Sequence, residues 1–132
     1  MDKTALVGLL GVDIEGGERL LKALDEADLD VRAALWSYSS DADRWRLMVA
    51  FPLVDQEGPK KAYTLIQSEL AKLTPPTGIS LSDISAVGPE HDLIRALRAA
   101  ARKYPGMISK KWFKRTVING VFIEGAYVYR AE

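Results

Sequence analysis

The chain contains no cysteine, which removes disulfides, thiolate nucleophiles and every cysteine-ligated zinc or iron–sulfur centre. It holds a single histidine, His91, so a zinc site built on two or more imidazoles is excluded as well. Long apolar runs are also missing. Residues 5–12 are apolar but fall far short of the roughly 20 that span a bilayer. They follow no basic stretch and precede no small-residue cleavage motif, so they do not read as a signal peptide. There is no Gly-x-Ser-x-Gly elbow and no His-Glu-x-x-His pair. Gly8-x-x-Gly11 and Gly16-Gly17 match neither a phosphate-binding loop nor a dinucleotide fingerprint, because no strand precedes them and no Lys-Ser/Thr follows. No repeat or linker divides the chain, and its 132 residues fit one domain, 1–132. A reducing cytoplasm is the natural compartment for such a composition, with no membrane partner.

What is present is a globular composition with sorted charge. Hydrophobic residues make up 48% and charged residues 27%, enough for a core and a solvated surface. The 18 cations balance the 18 carboxylates. Residues 1–43, however, carry four cations against ten carboxylates, while residues 89–132 carry nine against four. Such asymmetry points to an anionic partner or to complementary self-association and says nothing about fold.

Periodicity places the elements. Residues 3–27 read as helical, as one helix or as two meeting near Asp13–Gly17, since each glycine costs roughly 1 kcal/mol in a helix interior. Val31–Ser39 and Arg44–Val54 read as strands joined by a polar turn. In the second, Trp45, Leu47, Val49, Phe51 and Leu53 share one parity. A helix follows from Asp55, a candidate cap, and Pro59, with Ala62, Ile66, Leu70 and Leu73 as its stripe. Ile84–Val87 reads as a short strand after a single turn at Ser80–Asp83. The third helix opens at Gly88-Pro89-Glu90, turns Leu93, Leu97, Ala100 and Ala101 inward and projects Arg95, Arg98 and Arg102. Asn119-Gly120 marks a two-residue type I′ hairpin between Trp112–Ile118 and Val121–Arg130. The order α-β-β-α-β-α-β-β predicts an α+β two-layer sandwich, a mainly antiparallel five-stranded sheet with helices on one face. Trp36, Tyr38, Tyr127 and Tyr129 are expected on the other face. An open patch of such rings is usually explained by dimerisation.

The strongest binding candidate is the run Lys110-Lys111-Trp112-Phe113-Lys114-Arg115. Strand parity groups Lys110, Trp112 and Lys114 on one side and Lys111, Phe113 and Arg115 on the other. Cations beside rings suit single-stranded nucleic acid, and lysines also protect edge strands. Arg95, Arg98, Arg102 and Lys103 extend this basic character along a helix face, although solvation and the helix dipole account for them without a partner. His91, between Glu90 and Asp92, is the weak catalytic candidate: a general base needs an orienting carboxylate, yet acidic residues in a first helical turn are explained by the dipole alone. Asp41 and Asp43 lack the remaining ligands of a calcium loop. Asp25, Glu26, Asp28 and Asp30 read as solvation of a helix end.

These features predict a small non-enzymatic binding protein that meets an anionic partner through its basic surface, Arg95 to Arg115. The partner is an acidic protein face or nucleic acid, a homodimer is admitted, and no cofactor or metal is called for. The alternatives are a single-stranded nucleic-acid-binding protein and a small hydrolase using His91. A pI near 6.6 weighs against a dedicated nucleic-acid binder, whose domain pI usually exceeds about 9.

Overall fold

Gly16 and Gly17 do not break the first helix. In the computed structural model, which describes the backbone of residues 3–132 and side chains from residue 14 onward, α1 runs unbroken over Lys3–Glu26. Both glycines are buried and lie where the helix touches its neighbours. A Cβ on Gly16 would meet Thr77 and Ile79 at 3.2 and 3.3 Å, and one on Gly17 would meet the Tyr129 hydroxyl oxygen at 2.2 Å. Close approach, rather than helix termination, is their role.

Two strands follow, β1 (Ala33–Ser39) and β2 (Arg44–Ala50), paired as the expected antiparallel hairpin. The second strand is shorter than its parity suggested. Pro52 ends it and supplies the N-cap of a short helix, α2 (Leu53–Glu57), because proline donates nothing to a sheet ladder. Asp55 consequently lies inside α2, not at the cap of α3 (Pro59–Lys72), whose N-cap is Gly58 at φ +88°. A single 3-10 turn, Leu81–Asp83, is closed by a reciprocal Ser80–Asp83 capping box and leads into β3 (Ile84–Val87). Then come α4 (Asp92–Lys103), β4 (Lys111–Ile118) and β5 (Val121–Ala131). Asn119 and Gly120 have φ of +48° and +85°, the two positive values a type I′ turn needs.

The sheet order is β3-β2-β1-β5-β4. Every pairing is antiparallel except β2 with β3. The α+β class, the element order and the mainly antiparallel five-stranded sheet are those read from the sequence. The helices, however, divide between the two faces. Leu20, Leu21 and Leu24 of α1 and Ala62 and Ile66 of α3 share a buried cluster with Ala34, Trp36, Leu47 and Val49. Ile94, Leu97 and Ala100 of α4 share a second cluster with Ala33, Leu35, Ala126 and Val128. Only α1 to α3 therefore lie on one face, and α4 covers the other. The physical reason is β1, whose Ala33-Ala34-Leu35-Trp36 run is buried on both sides and needs a helix over each.

Two of the four rings expected on an open face are buried. Trp36 and Tyr129 are buried beneath α1, and Tyr38 and Tyr127 are half-buried. Trp36 Nε1 donates to the Tyr129 hydroxyl at 3.0 Å, and that hydroxyl donates to the Ile14 carbonyl at 2.7 Å. This short chain of polar contacts ties the first helix to the central strands. The open patch invoked for dimerisation does not form from these four residues.

Candidate functional site

The amphipathic face of α4 positions the first group of cations. Its apolar side sits against β1 and β5, so Arg95 and Arg102 stand in solvent. They line a groove of about 530 Å³ together with Arg98, Ala96, Ala99 and, from the tip of the β4–β5 hairpin, Asn119 and Val121. Glu90 and Asp92 line it too. Arg98 differs from its neighbours. Its side chain is only 13% exposed. It donates to the Glu132 and Pro89 carbonyls and lies 3.8 Å from Glu90. Arg98 thus fastens the β3–α4 loop to the strand end and has little charge to offer a partner.

The second group lies on β4, the outer strand of the same hairpin. Lys111 opposes Val128, Trp112 opposes Tyr127, Phe113 opposes Ala126 and Lys114 opposes Gly125. Residues opposed in an antiparallel ladder share a face. Phe113 accordingly joins the cluster beneath α4, and Lys111 shares that side. Trp112 and Lys114 occupy the other, as parity predicted. Trp112 is 53% exposed, with one flank packed on Tyr127 at a centroid separation of 5.0 Å. Trp45 meets Trp112 edge-on at 6.5 Å, Tyr38 meets Trp45 at 5.3 Å and Tyr129 meets Tyr127 at 5.1 Å.

Alternation along this hairpin changes step at Arg115, whose φ is +46°. Phe113 before it and Ile118 after it both belong to the cluster under α4, although a regular strand would send them to opposite faces. The step leaves Val117 and its cross-strand partner Phe122 on the side of Trp112. They are 65% and 60% exposed. Sequence reading missed this pair. The one available signal was Phe122 beside the Asn-Gly turn, and strict parity from Trp112 would have placed it wrongly.

The pairing of charges separates the cations into two sets. Arg130 of β5 makes a two-pronged bridge to Asp25 of α1, at 2.8 and 2.6 Å. This raises the guanidinium pKa, chiefly through that hydrogen bond. Arg32 pairs with Asp30 at 2.7 Å, lowering the Asp30 pKa through its hydrogen bond. Arg44 reaches Asp83 at 3.4 Å. Among the described residues, no carboxylate lies within 4.0 Å of a cationic nitrogen of Arg95, Arg102, Lys103, Lys110, Lys111, Lys114 or Arg115. Lys103 instead stands over the Tyr104 ring at 5.6 Å. Residues 93–123 contain eight Lys and Arg and no Asp or Glu, although Glu90 and Asp92 line the same groove as Arg95 and Arg102.

His91 takes the N-cap position of α4 without a side-chain capping bond. Its ring is exposed and does not line the groove, although Glu90 and Asp92 do. Among the described residues the imidazole bonds to neither carboxylate, so the orienting contact a general base needs is not assembled. Asp43 is engaged in the β1–β2 turn, accepting from the Tyr38 hydroxyl at 2.6 Å. That bond raises the phenol pKa to about 12. Burial raises the Tyr127 pKa, with a smaller effect of the Glu18 carboxylate. Among the described residues no three His, Asp or Glu side chains converge as metal ligands would. No helix is long and apolar enough to cross a membrane, among the described residues. No protein-family model, curated protein or solved structure matches the chain.

Proposed function

We propose that this chain is a non-enzymatic, cytoplasmic binding protein that meets a polyanionic partner through α4 and the β4–β5 hairpin. One observation carries the reading. Arg98, Arg130, Arg32 and Arg44 are occupied within the fold, whereas Arg95, Arg102, Lys110, Lys111, Lys114 and Arg115 lack carboxylate partners among the described residues. Like charges on neighbouring helical turns and along one strand repel, and an external anion relieves that repulsion. The groove beside α4 adds shape, with Arg95 and Arg102 seven residues and therefore roughly 10 Å apart along the axis. Acidic protein faces, nucleic acids and the acidic opening segment of a second copy all present suitable charge.

The test is binding of the purified full chain to a polysulfate, to polyglutamate and to an oligonucleotide across a salt series, with sedimentation reporting self-association. The expected result is affinity for at least one polyanion, falling steeply as salt is added. It should weaken markedly in a variant with Arg95, Arg102, Lys110, Lys111, Lys114 and Arg115 changed to Gln. A chain that binds none of them at low salt and sediments as a monomer overturns the reading.

A further inference from the structure

We infer that the polyanion is a single-stranded nucleic acid, its bases stacking on Trp112 and its phosphates held by Lys110, Lys111, Lys114 and Arg115. This rests on the binding reading above and names the partner. The inference comes from combining two features of the β4 edge, where Lys114 lies on the face of Trp112 and Lys111 flanks it from the opposite one. Residues 110–123 carry four cations and no carboxylate, and the same segment exposes Trp112, Val117 and Phe122. A half-exposed tryptophan on an edge strand is a hazard that native sheets seldom leave uncovered. Trp112 is also braced. Tyr127 supports one flank, and the contacts continue through Tyr129, whose hydroxyl is fixed to Trp36 and Ile14. A ring held in this way gives up little freedom when a base covers it.

Two competing occupants fit only half of the surface. An acidic protein face answers the cations and leaves the aromatic face without a role. A second copy docked two-fold on the hairpin answers the rings, but it sets Lys110, Lys111, Lys114 and Arg115 against their own counterparts, and like charges across an interface are costly. The three exposed apolar side chains also offer far less than the roughly 800 Å² per partner of a standard interface. A phosphodiester chain with unpaired bases satisfies both features, because every base offers a π-face and every linkage a charge. A duplex does not, since its base faces are hidden in the stack. The Val117–Phe122 pair lies five residues along the strand from Trp112, roughly 16 Å away. It provides a second landing for the same strand.

The experiment compares a fluorescently labelled oligothymidine, an abasic oligodeoxynucleotide of equal length and charge, and a duplex, each titrated with the full chain at low salt. Oligothymidine should bind about tenfold or more tighter than the abasic strand and quench tryptophan fluorescence. Trp112→Ala should bring oligothymidine close to the affinity of the abasic strand, removing most of that advantage. Trp112→Tyr, which keeps a stacking ring, should retain most of it and guards against a folding defect in the alanine variant. Equal affinity for the thymidine and abasic strands, no effect of Trp112→Ala, or preference for the duplex overturns the inference while leaving a polyanion binder. Absence of binding to all three strands and to polyglutamate and polysulfate, in a chain that sediments as a monomer, overturns the broader reading as well.

Discussion

Replacing Gly17 by alanine puts a methyl group where Tyr129 already stands. On an exposed helix the change would stabilise, since glycine costs about 1 kcal/mol relative to alanine. Here the new Cβ would lie 2.2 Å from the Tyr129 hydroxyl oxygen and 2.9 Å from Cζ, well inside contact distance. Tyr129 has little freedom to yield. It is buried, it accepts from Trp36 Nε1 at 3.0 Å and it donates to the Ile14 carbonyl at 2.7 Å. Overpacking costs about 1–3 kcal/mol, and pushing the hydroxyl away strands a buried indole donor at about 1–3 kcal/mol more. Against a gain of about 1 kcal/mol, the net loss is about 3 kcal/mol. In a chain of this size that lowers the thermal midpoint by about 10 °C. Urea unfolding of the parent, Gly17→Ala, Tyr129→Phe and the double variant measures it. Removing the hydroxyl also removes the closest clash, so the two costs should fall short of additive by about 1 kcal/mol or more. A Gly17→Ala protein as stable as the parent, or costs that simply add, refutes the reasoning.

Gly88→Ala tests the converse. Its Cβ would sit 2.3 Å from Asp55 Oδ2, but Asp55 is exposed and can swing into water, so calorimetry should find a change within about 0.5 kcal/mol. Asp25→Asn removes the two-pronged bridge to Arg130; at this partial exposure the loss should be about 1 kcal/mol and shrink with added salt, and a loss unaffected by salt would contradict an ionic origin. Tyr38 is held above its ordinary value of 10, at about 12, chiefly by the Asp43 hydrogen bond. Its stabilising contribution is therefore complete below pH 10 and lost as pH rises towards 12. The denaturant midpoints of wild type and Tyr38→Phe should converge over that interval, and a constant difference would count against the assignment.

Local signals carried much of this fold. Asn119-Gly120 announced its hairpin because only a type I′ turn demands positive φ at both positions, and both values are found. The stripe of α4 likewise foretold which side of the helix is buried. What the chain concealed was non-local. Gly16 and Gly17 look like helix breakers until Thr77, Ile79 and Tyr129 are placed beside them. The Ala33-Ala34-Leu35-Trp36 run reads as one apolar strand, and its continuity was the available sign that α4 would cover the second face. The basic residues behaved similarly. Their positions along helix and strand were legible, but the diversion of Arg98 to the Glu132 carbonyl and of Arg130 to Asp25 depends on partners remote in sequence. The change of step at Arg115 depends on a backbone angle that arginine does not advertise.

The late strand β5 is inserted between β1 and β4, with Ala33 beside Ala131. During synthesis β1 and β2 emerge early and pair, yet one side of β1 has no neighbour until residues 121–131 have left the ribosome. Nearly a hundred residues of loop closure stand between those partners, an entropic delay that slows assembly. Until then the nascent hairpin exposes an apolar, hydrogen-bond-hungry margin, and that interval is when aggregation or chaperone capture would act on this protein.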